Sequence, residues 1–256
     1  MTPIIIGAGR GARLGEMTDD KPKCYTEVNG KTMLEWILLA FKEAGLGDPV
    51  FVGGYHIETI KSDYPQFTFC HNDNWQNNNI LASLFYAEEY MSEGFICSYS
   101  DILYRSSMVK KALENPADIV LTADTGWRKR YQGRTEHPES DGEKLISEED
   151  KVIQVHRDIE PAKATGEYTG VAKFSPAGAK LLRDHYHRVR KEFSGKPWRE
   201  AKVFEKAYKI LLFQEMLEQD VEMSLVTTDG EYIEIDTQQD YRYALKTWTG
   251  ESNAST

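Results

Sequence analysis

Short apolar runs and helix-like repeats alternate along the first half of the chain. Pro3 to Ile6 is a β-branched apolar run with no polar interruption, which is typical of a buried parallel strand. After a glycine-rich stretch, Thr32 and Glu35 have the spacing of a helix capping box. Apolar residues then recur at i, i+3, i+4 and i+7 from Leu34. A helix is therefore predicted from Thr32, with Gly45 as its C-terminal stop.

The same alternation continues to about residue 124. Strands that alternate with helical segments are typical of βαβ units, in which the strands of the sheet are mainly parallel. We therefore predict an α/β core over residues 1–124, built around a mixed, mainly parallel sheet. The further predicted strands are 50–52, 67–70, 95–99 and 118–123, and the further predicted helices are 56–61 and 80–91.

The second half of the chain begins with a long polar segment, residues 124–150. A loop of this length in a compact domain is usually functional or mobile, so a lid-like role is predicted for it. We expect residues 1–249 to form a single domain and 250–256 to be a disordered tail. The other predictions are strands at 151–155 and 168–174, helices at 176–191, 203–219 and from 237 onward, and a hairpin of 222–226 with 231–235 around Asp229-Gly230.

Composition narrows the class of protein. The 256 residues carry 31 Lys and Arg against 41 Asp and Glu, a net charge of −10. This sign argues against nucleic acid and anionic membranes as partners, because both need a cationic face. No apolar run approaches the ~20 residues that a membrane span requires. Cys24, Cys70 and Cys97 are widely spaced and odd in number, which indicates reduced thiols in a cytoplasmic protein.

The glycine-rich stretch from Gly7 to Gly15 follows the first strand directly. Backbone N–H groups in such a loop can approach phosphate oxygens closely. The stretch does not match the Walker A pattern, and the dinucleotide fingerprint fails because Leu14 replaces its third glycine. Arg13 and Lys23 could supply two positive charges to a triphosphate. The alternative is an ordinary glycine-rich turn with solvated cations.

Two carboxylates follow predicted strands. Asp101 comes just after strand 95–99, and Asp236 follows 231–235. Ligand-contacting side chains gather at strand carboxyl ends in α/β sheets, so both could share one Mg²⁺. A lone Asp at a strand end is more often a helix N-cap, and Asp236 stands directly before the last predicted helix.

The segment from Ile6 to Leu14 with Pro22-Lys23 resembles the N-terminal signature of the sugar-phosphate nucleotidyltransferase superfamily. Gly7 stands where that superfamily usually has alanine. The resemblance implies a Rossmann-like three-layer α/β fold, with 1–124 as the nucleotide-binding half and 125–249 as the acceptor-binding half. It also implies that Asp101 and Asp236 are the Mg²⁺ ligands and that Lys23 contacts the α-phosphate or the acceptor. The loop residues that it implies in triphosphate and base binding are Gly7, Ala8, Gly9, Gly11 and Arg13.

Three later segments are similar to the phosphocholine and phosphonate cytidylyltransferase branch: the Asn-rich 71–79 running into Ser83, 166–175, and 232–241. The implied reaction joins CTP to a small phosphorylated or phosphonate acceptor, with Asn78, Asn79 or Ser83 contacting the base. A sugar-1-phosphate uridylyl- or thymidylyltransferase, and a catalytically silent nucleotide-sensing subunit, are the alternatives.

The acceptor oxygen is already anionic, so this chemistry needs no general base. Catalysis would consist of positioning and of charge neutralisation by Mg²⁺, Arg13 and Lys23. In the resembling proteins a second basic residue, here Arg157, is often directed at the acceptor phosphate. A quaternary ammonium would need aromatic faces, whereas a primary ammonium would need carboxylates. The aromatic candidates are Trp75, Tyr99, Tyr104, Trp127, Tyr131 and Tyr168, and the carboxylate candidates are Glu136 and Glu167.

Overall fold

A nine-stranded sheet forms the centre of the molecule in a computed structural model, which describes residues 1–249. Two two-stranded ribbons accompany it. The strands are β1 (Thr2–Gly7), β2 (Glu27–Val28), β3 (Lys31–Thr32), β4 (Val50–Gly53), β5 (Thr68–His71), β6 (Phe95–Tyr99), β7 (Ile102–Tyr104), β8 (Ile119–Asp124), β9 (Lys144–Glu148), β10 (Lys151–Val155), β11 (Gly166–Phe174), β12 (Ser224–Thr228) and β13 (Tyr232–Glu234).

Eight α-helices connect and cover these strands in the described part of the chain. Short 3-10 helices lie at Ala12–Thr18, Lys23–Tyr25, Phe85–Tyr90, Glu139–Asp141 and Phe204–Lys206. The α-helices are α1 (Met33–Glu43), α2 (Ile57–Asp63), α3 (Ile80–Leu84), α4 (Ser106–Glu114), α5 (Trp127–Tyr131), α6 (Pro176–Phe193), α7 (Lys209–Leu217) and α8 (Gln238–Thr247).

The large sheet has the strand order β5-β4-β1-β6-β11-β8-β12-β10-β9. Strands β5, β4, β1 and β6 are parallel to their neighbours in that block, and β12 is parallel to β8. Strand β11 runs antiparallel between β6 and β8. The predicted mixed α/β sheet is therefore confirmed.

Helices cover both faces of this sheet. Successive residues of a strand point to opposite faces, and β1 shows this directly. Ile5 packs in one buried cluster with Leu34 of α1 and Met108 of α4. Ile4 packs in another with Leu182 of α6 and Leu212 of α7. The molecule is thus the predicted three-layer arrangement of helix, sheet and helix.

Local signals predicted both ends of α1 and the start of α8. Thr32 caps α1 in a complete capping box with Glu35, and Gly45 adopts the left-handed conformation after the helix. Thr237 caps α8 in a second capping box, formed with Asp240. The Cys24, Cys70 and Cys97 thiols are free and buried, as expected for reduced cysteines.

The predicted hairpin of 222–226 with 231–235 is wrong. Strand β12 joins the large sheet beside β8, whereas β13 pairs antiparallel with β7. The Gly230 N–H donates to Asp124 Oδ1 at 2.6 Å, which anchors the turn to the end of β8. The two strands therefore separate into different sheets.

Two predicted helices are shorter than expected. The helix predicted over 80–91 is α3 followed by a 3-10 helix, with a non-helical backbone at Ala87. The helix predicted over 203–219 begins only at Lys209, after a separate 3-10 turn.

The segment predicted as a lid-like loop contains α5, a 3-10 helix and strand β9, so its last part belongs to the large sheet, and contacts with α8 hold its centre. Gln239 Oε1 accepts from the Thr135 N–H at 2.8 Å, and Arg134 pairs with Asp240 at 2.6 Å. Lid movement and the division into halves at residue 124 stay predictions. The tail predicted at 250–256 lies outside the described residues. Among residues 1–249, none of the helices is both long and apolar enough to cross a membrane.

Candidate active site

A cavity of about 690 Å³ lies at the carboxyl ends of β1 and β6, where the glycine-rich stretch begins. Its size is in the usual range for a small-molecule site. It brings together most of the residues selected from the sequence, although Trp127 and Tyr131 are not in its lining. The predicted residues that do line it are Gly7, Ala8, Gly9, Gly11, Arg13, Lys23, Trp75, Asn78, Asn79, Ser83, Tyr99, Asp101, Arg157, Glu167, Tyr168 and Asp236.

Two glycines of the loop allow close packing at the cavity floor. Gly11 has a left-handed φ of 70°, and a Cβ there would lie 2.5 Å from Cδ of Lys23. A Cβ on Gly7 would lie 2.8 Å from the Ser100 Oγ. Both positions therefore favour glycine, including Gly7, where the resembling superfamily usually has alanine.

Lys23 is buried at the centre of this arrangement. Its Nζ lies 2.7 Å from Asp101 Oδ2 and 2.5 Å from Asp236 Oδ1. Burial by itself would lower the pKa of Lys23, but the charges of Asp101 and Asp236 raise it well above its usual value. The side chain is consequently a permanent cation between two carboxylates from distant parts of the chain.

Asp236 also accepts from Arg13, whose Nη2 lies 2.6 Å from Oδ2. Burial by itself would raise the pKa of Asp236, but the charges of Lys23 and Arg13 outweigh it, and the pKa falls to about 2. The capping alternative does not hold for either predicted metal ligand, since Thr237 caps α8 and Arg105 is the N-cap of α4. Neither Asp101 nor Asp236 therefore serves as a helix cap, and in this structure their carboxylate partners are Lys23 and Arg13.

Two further potential metal ligands are Glu234 and His137, which the sequence analysis did not select. One ligand atom from each lies within 4.8 Å of a carboxylate oxygen of Asp236. Burial and the nearby charges of Asp236 and Asp101 raise the pKa of Glu234 well above its usual value. Carboxylate oxygens are the ligands that hard divalent cations prefer, so this donor set fits such an ion.

Side chains alternate between the two faces of a strand, and this pattern in β13 could have identified Glu234 from the sequence. Residues at i and i+2 lie on the same face of an extended chain, so Glu234 shares the side of Asp236. His137 had no such signal, because it reaches the site from the long polar segment. Its Nδ1 lies 2.8 Å from Arg134 Nη2, an ordering contact that only the folded chain provides.

The Asn-rich loop forms a small polar network beside the glycine loop. Asn72 Nδ2 donates to Asn78 Oδ1 and to Ser83 Oγ, at 2.9 Å each. Asn79 caps α3 through its side chain and donates to the carbonyl of Lys206 at 3.2 Å. Base contacts by Asn78, Asn79 or Ser83 stay predictions. The Asn79 side chain already serves as the N-cap of α3.

The far end of the cavity contains tyrosines and carboxylates. Arg157 lies over the Tyr208 ring, with Cζ 3.8 Å from the ring centre, and its Nη2 is 3.4 Å from Glu143 Oε1. The Tyr99 hydroxyl donates to Glu143 Oε2 at 3.1 Å. Glu143 was not selected from the sequence, because nothing in its polar surroundings distinguishes it from neighbouring acidic residues.

The predicted acceptor residues Glu167, Trp127 and Tyr131 lie deeper. Arg130 pairs with Glu167, and the Tyr131 hydroxyl lies 2.5 Å from Glu167 Oε1. Trp127 is buried in the packing around α5. Tyr131 therefore positions a carboxylate, and neither aromatic side chain lines the cavity.

A glycine-rich loop, the buried Lys23 with the exposed Arg13 beside it, and clustered carboxylates at the edge of a Rossmann-like sheet are the features of a nucleotidyltransferase. The chain belongs to the MobA-like NTP transferase domain family, whose sequence pattern matches residues 3–191. The superfamily suggested by Ile6–Leu14 and Pro22-Lys23 is therefore confirmed.

Relatives in the same superfamily carry related activities. The chain is 26% identical over 256 residues to the CTP:phosphoglutamine cytidylyltransferase of Campylobacter jejuni, which covers 96% of this chain and 100% of that protein. It is 28% identical over 109 residues to the choline-phosphate cytidylyltransferase of Streptococcus pneumoniae, covering 41% of this chain and 47% of that protein. A 2-aminoethylphosphonate cytidylyltransferase of Lancefieldella rimae is 31% identical over 37% of this chain and 40% of that protein.

Solved structures share the fold. The CTP:phosphocholine cytidylyltransferase of Streptococcus pneumoniae superimposes with a TM-score of 0.71 at 18% identity, over 97% of this chain and 99% of that one. The inositol-1-phosphate CTP transferase of T. maritima gives 0.72 at 19% identity, over 98% and 97%. The protein is thus a nucleotidyltransferase that acts on phosphorylated substrates.

Proposed function

We propose that the protein is a Mg²⁺-dependent cytidylyltransferase that joins CTP to a small phosphorylated or phosphonate acceptor and releases pyrophosphate. The observation that carries the choice of CTP is the similarity to the Campylobacter jejuni cytidylyltransferase, because it extends over the full length of that protein. The Streptococcus pneumoniae and Lancefieldella rimae relatives support the same nucleotide and a small acceptor.

The reaction is an in-line displacement at phosphorus. An anionic oxygen of the acceptor forms a bond to the α-phosphorus of CTP, and the bond from that phosphorus to the bridging oxygen of pyrophosphate breaks. No proton has to be removed from the nucleophile, so the site needs charge neutralisation and alignment rather than a general base.

Residues of this chain supply both the charge neutralisation and the alignment of the substrates. The loop from Gly7 to Gly11 presents backbone N–H groups to the triphosphate, and Arg13 and Lys23 contribute positive charge. Asp101 and Asp236, with Glu234 beside them, would hold Mg²⁺, which when bound neutralises phosphate charge. Lys23 then has phosphate oxygens as additional partners beside the two carboxylates.

Residues 125–249 contribute the acceptor side in this proposal. Arg157 is the cation nearest to Glu143 in the cavity lining and is the group we assign to an acceptor anion. The 124–150 segment supplies His137 and Glu143 to the cavity, which supports a role for it in covering the substrates.

Pyrophosphate release tests the proposal. Purified protein with Mg²⁺ is incubated with CTP, UTP, dTTP, ATP or GTP, each against phosphocholine, phosphoethanolamine, 2-aminoethylphosphonate and glucose-1-phosphate. We expect release with CTP and an amine-bearing acceptor. Asp101→Asn should remove turnover and retain CTP affinity, and Asp118→Asn, a carboxylate outside the cavity lining, serves as its matched control.

Three other results would reject the proposal or its metal assignment. Release with UTP or dTTP and glucose-1-phosphate would identify a sugar-phosphate transferase. That alternative has support from the Haloferax volcanii UTP--glucose-1-phosphate uridylyltransferase, 28% identical over 50% of this chain and 56% of that protein. CTP binding without turnover across all acceptors would favour a nucleotide-sensing subunit, and unchanged turnover in Asp101→Asn would reject the metal assignment.

A further inference from the structure

The tyrosines at the acceptor end of the cavity already have cations over their rings. Lys209 Nζ lies 4.4 Å from the ring centre of Tyr99 and 5.3 Å from that of Tyr168. Arg157 lies 3.8 Å from the ring centre of Tyr208. The ring face beneath each of these cations is already covered by the protein, so it is not open to a quaternary ammonium.

Tyr232 follows the same pattern, with Arg130 Cζ 4.7 Å from its ring centre. Of the other aromatic candidates, Tyr104, Trp127 and Tyr131 lie outside the lining. Trp75 lines the cavity next to Ala8 of the glycine loop, because both border the space at Gly54, and this is the nucleotide end of the cavity. The acceptor end of the cavity is therefore poorly suited to a quaternary ammonium, which depends on open aromatic faces.

The two buried carboxylates at the acceptor end, Glu167 and Glu143, differ in how completely their hydrogen-bonding capacity is used. Glu167 has Arg130 on one oxygen and the Tyr131 hydroxyl on the other. Glu143 is also buried, but its contacts are longer: 3.4 Å to Arg157 Nη2 and 3.1 Å to the Tyr99 hydroxyl. A buried carboxylate with long contacts gains most from a new donor with a positive charge.

We propose that the acceptor carries a primary ammonium group and that this group donates hydrogen bonds to Glu143. The inference rests on the proposed function and specifies its acceptor. A primary ammonium has three N–H donors for carboxylate oxygens, whereas a quaternary ammonium has none. Glu143 is accordingly a specificity-determining residue, and Glu167, the carboxylate selected from the sequence, is occupied by the protein itself.

A competition assay tests this assignment. The enzyme, Mg²⁺ and CTP are incubated with equal concentrations of phosphoethanolamine and phosphocholine, and mass spectrometry measures the ratio of the two products. This ratio equals the ratio of the kcat/KM values. We expect the ethanolamine product to exceed the choline product by about 10-fold or more, as the loss of a charge-assisted hydrogen bond implies.

Variants identify the residue responsible. Glu143→Gln should bring the product ratio to within about twofold of unity, mainly by raising the KM for phosphoethanolamine, while the KM for CTP stays near its original value. Glu143→Asp, which keeps the charge, should recover part of the preference. Glu148→Gln, the same substitution on an exposed residue of β9, is the control and should keep the full ratio.

Parallel reactions with UTP separate this inference from the proposed function. A preference for ethanolamine that occurs with UTP and not with CTP would overturn the cytidine assignment and support the acceptor assignment. Equal or larger amounts of choline product with CTP, or an unchanged ratio in folded Glu143→Gln, would overturn the acceptor assignment alone. No product from either acceptor with either nucleotide would overturn both.

Discussion

The Lys23 ammonium connects three separate parts of the chain. It follows the glycine loop, and its partners Asp101 and Asp236 lie 78 and 213 positions further along. Gly11 makes this contact possible, because any Cβ at that position would meet the Lys23 side chain. The charge balance of the site therefore depends on one buried lysine and on the space that one glycine leaves for it.

Lys23→Met tests that balance. The substitution keeps much of the apolar stem and removes the charge, so we expect kcat/KM for pyrophosphate release to fall by about 10²–10³-fold, the usual effect of losing one charge-stabilising group. Steady-state kinetics measures the fall, and circular dichroism verifies the fold. Lys21→Met, two residues away and outside the cavity lining, is the matched control. Turnover within about twofold of wild type would contradict a catalytic role for Lys23.

Sequence analysis identified many of the charged residues of the site. Arg13, Lys23, Asp101 and Asp236 were selected because loop and strand-end positions can be recognised locally, and the fold brings all four together. Glu143 was missed, because its contacts with Tyr99 and Arg157 form only after distant strands have assembled.

At the level of elements, strand β11 joins the two halves of the sheet. It pairs with β6 on one side and β8 on the other, and its register shifts between Tyr168 and Ala172. Gly170 lies at this irregularity with a φ of 86°, and a Cβ there would lie 2.4 Å from the Tyr99 ring. The bulge thus positions both Tyr99 and Tyr168 at the acceptor end.

A partly exposed ion cluster joins the 3-10 helix Phe85–Tyr90 to α6. Glu88 Oε1 lies 2.7 Å from His187 Nε2 and 2.9 Å from Arg183 Nε. Burial by itself would raise the pKa of Glu88, but hydrogen bonds and charges from His187 and Arg183 lower it below its usual value. A lowered pKa in the folded state stabilises the protein above the unfolded-state pKa, and this contribution disappears as the pH falls through the folded-state pKa.

Glu88→Gln should therefore lower the free energy of unfolding at pH 7 by at most about 1 kcal/mol, since water and salt screen this pair. The difference from wild type should shrink as the pH falls below the unfolded-state pKa of about 4.3, and it should disappear only below the lower folded-state pKa, where the carboxylate is protonated in both states. Urea unfolding at a series of pH values measures it, with Glu89→Gln on the exposed neighbour as control. A pH-independent difference would contradict the electrostatic origin.

For the whole molecule, binding at the cavity should stabilise the complete fold, because its walls come from both halves of the sheet. At about 100 times the Kd, CTP with Mg²⁺ adds about 2.7 kcal/mol, or roughly 5–10 °C in Tm for a chain of this size. Differential scanning fluorimetry measures the shift. UTP at the same concentration should give a smaller one, and an equal shift would contradict a preference for cytidine.

The net charge of the whole molecule does not describe the charges inside the cavity. The chain carries a net charge of −10, yet Arg13, Lys23 and Arg157 line one cavity. Six carboxylates line the same cavity, and carboxylates hydrogen-bonded to Arg13, Lys23 and Arg157 keep each of these cations in place. The net charge argued against nucleic acid as a partner and was compatible with a small phosphorylated substrate.

The amino-acid sequence by itself determined the alternation of strands and helices in the first half of the chain, the glycine loop, the capping box at Thr32 and the four central charged residues. Each of these depends on periodicity or on side chains a few positions apart. Only the tertiary structure decided the separation of β12 from β13, the neutralisation of Glu167 by Arg130 and the long contacts of Glu143. Those features depend on partners far away along the chain, and local patterns carry no information about which partner a buried strand or carboxylate will meet.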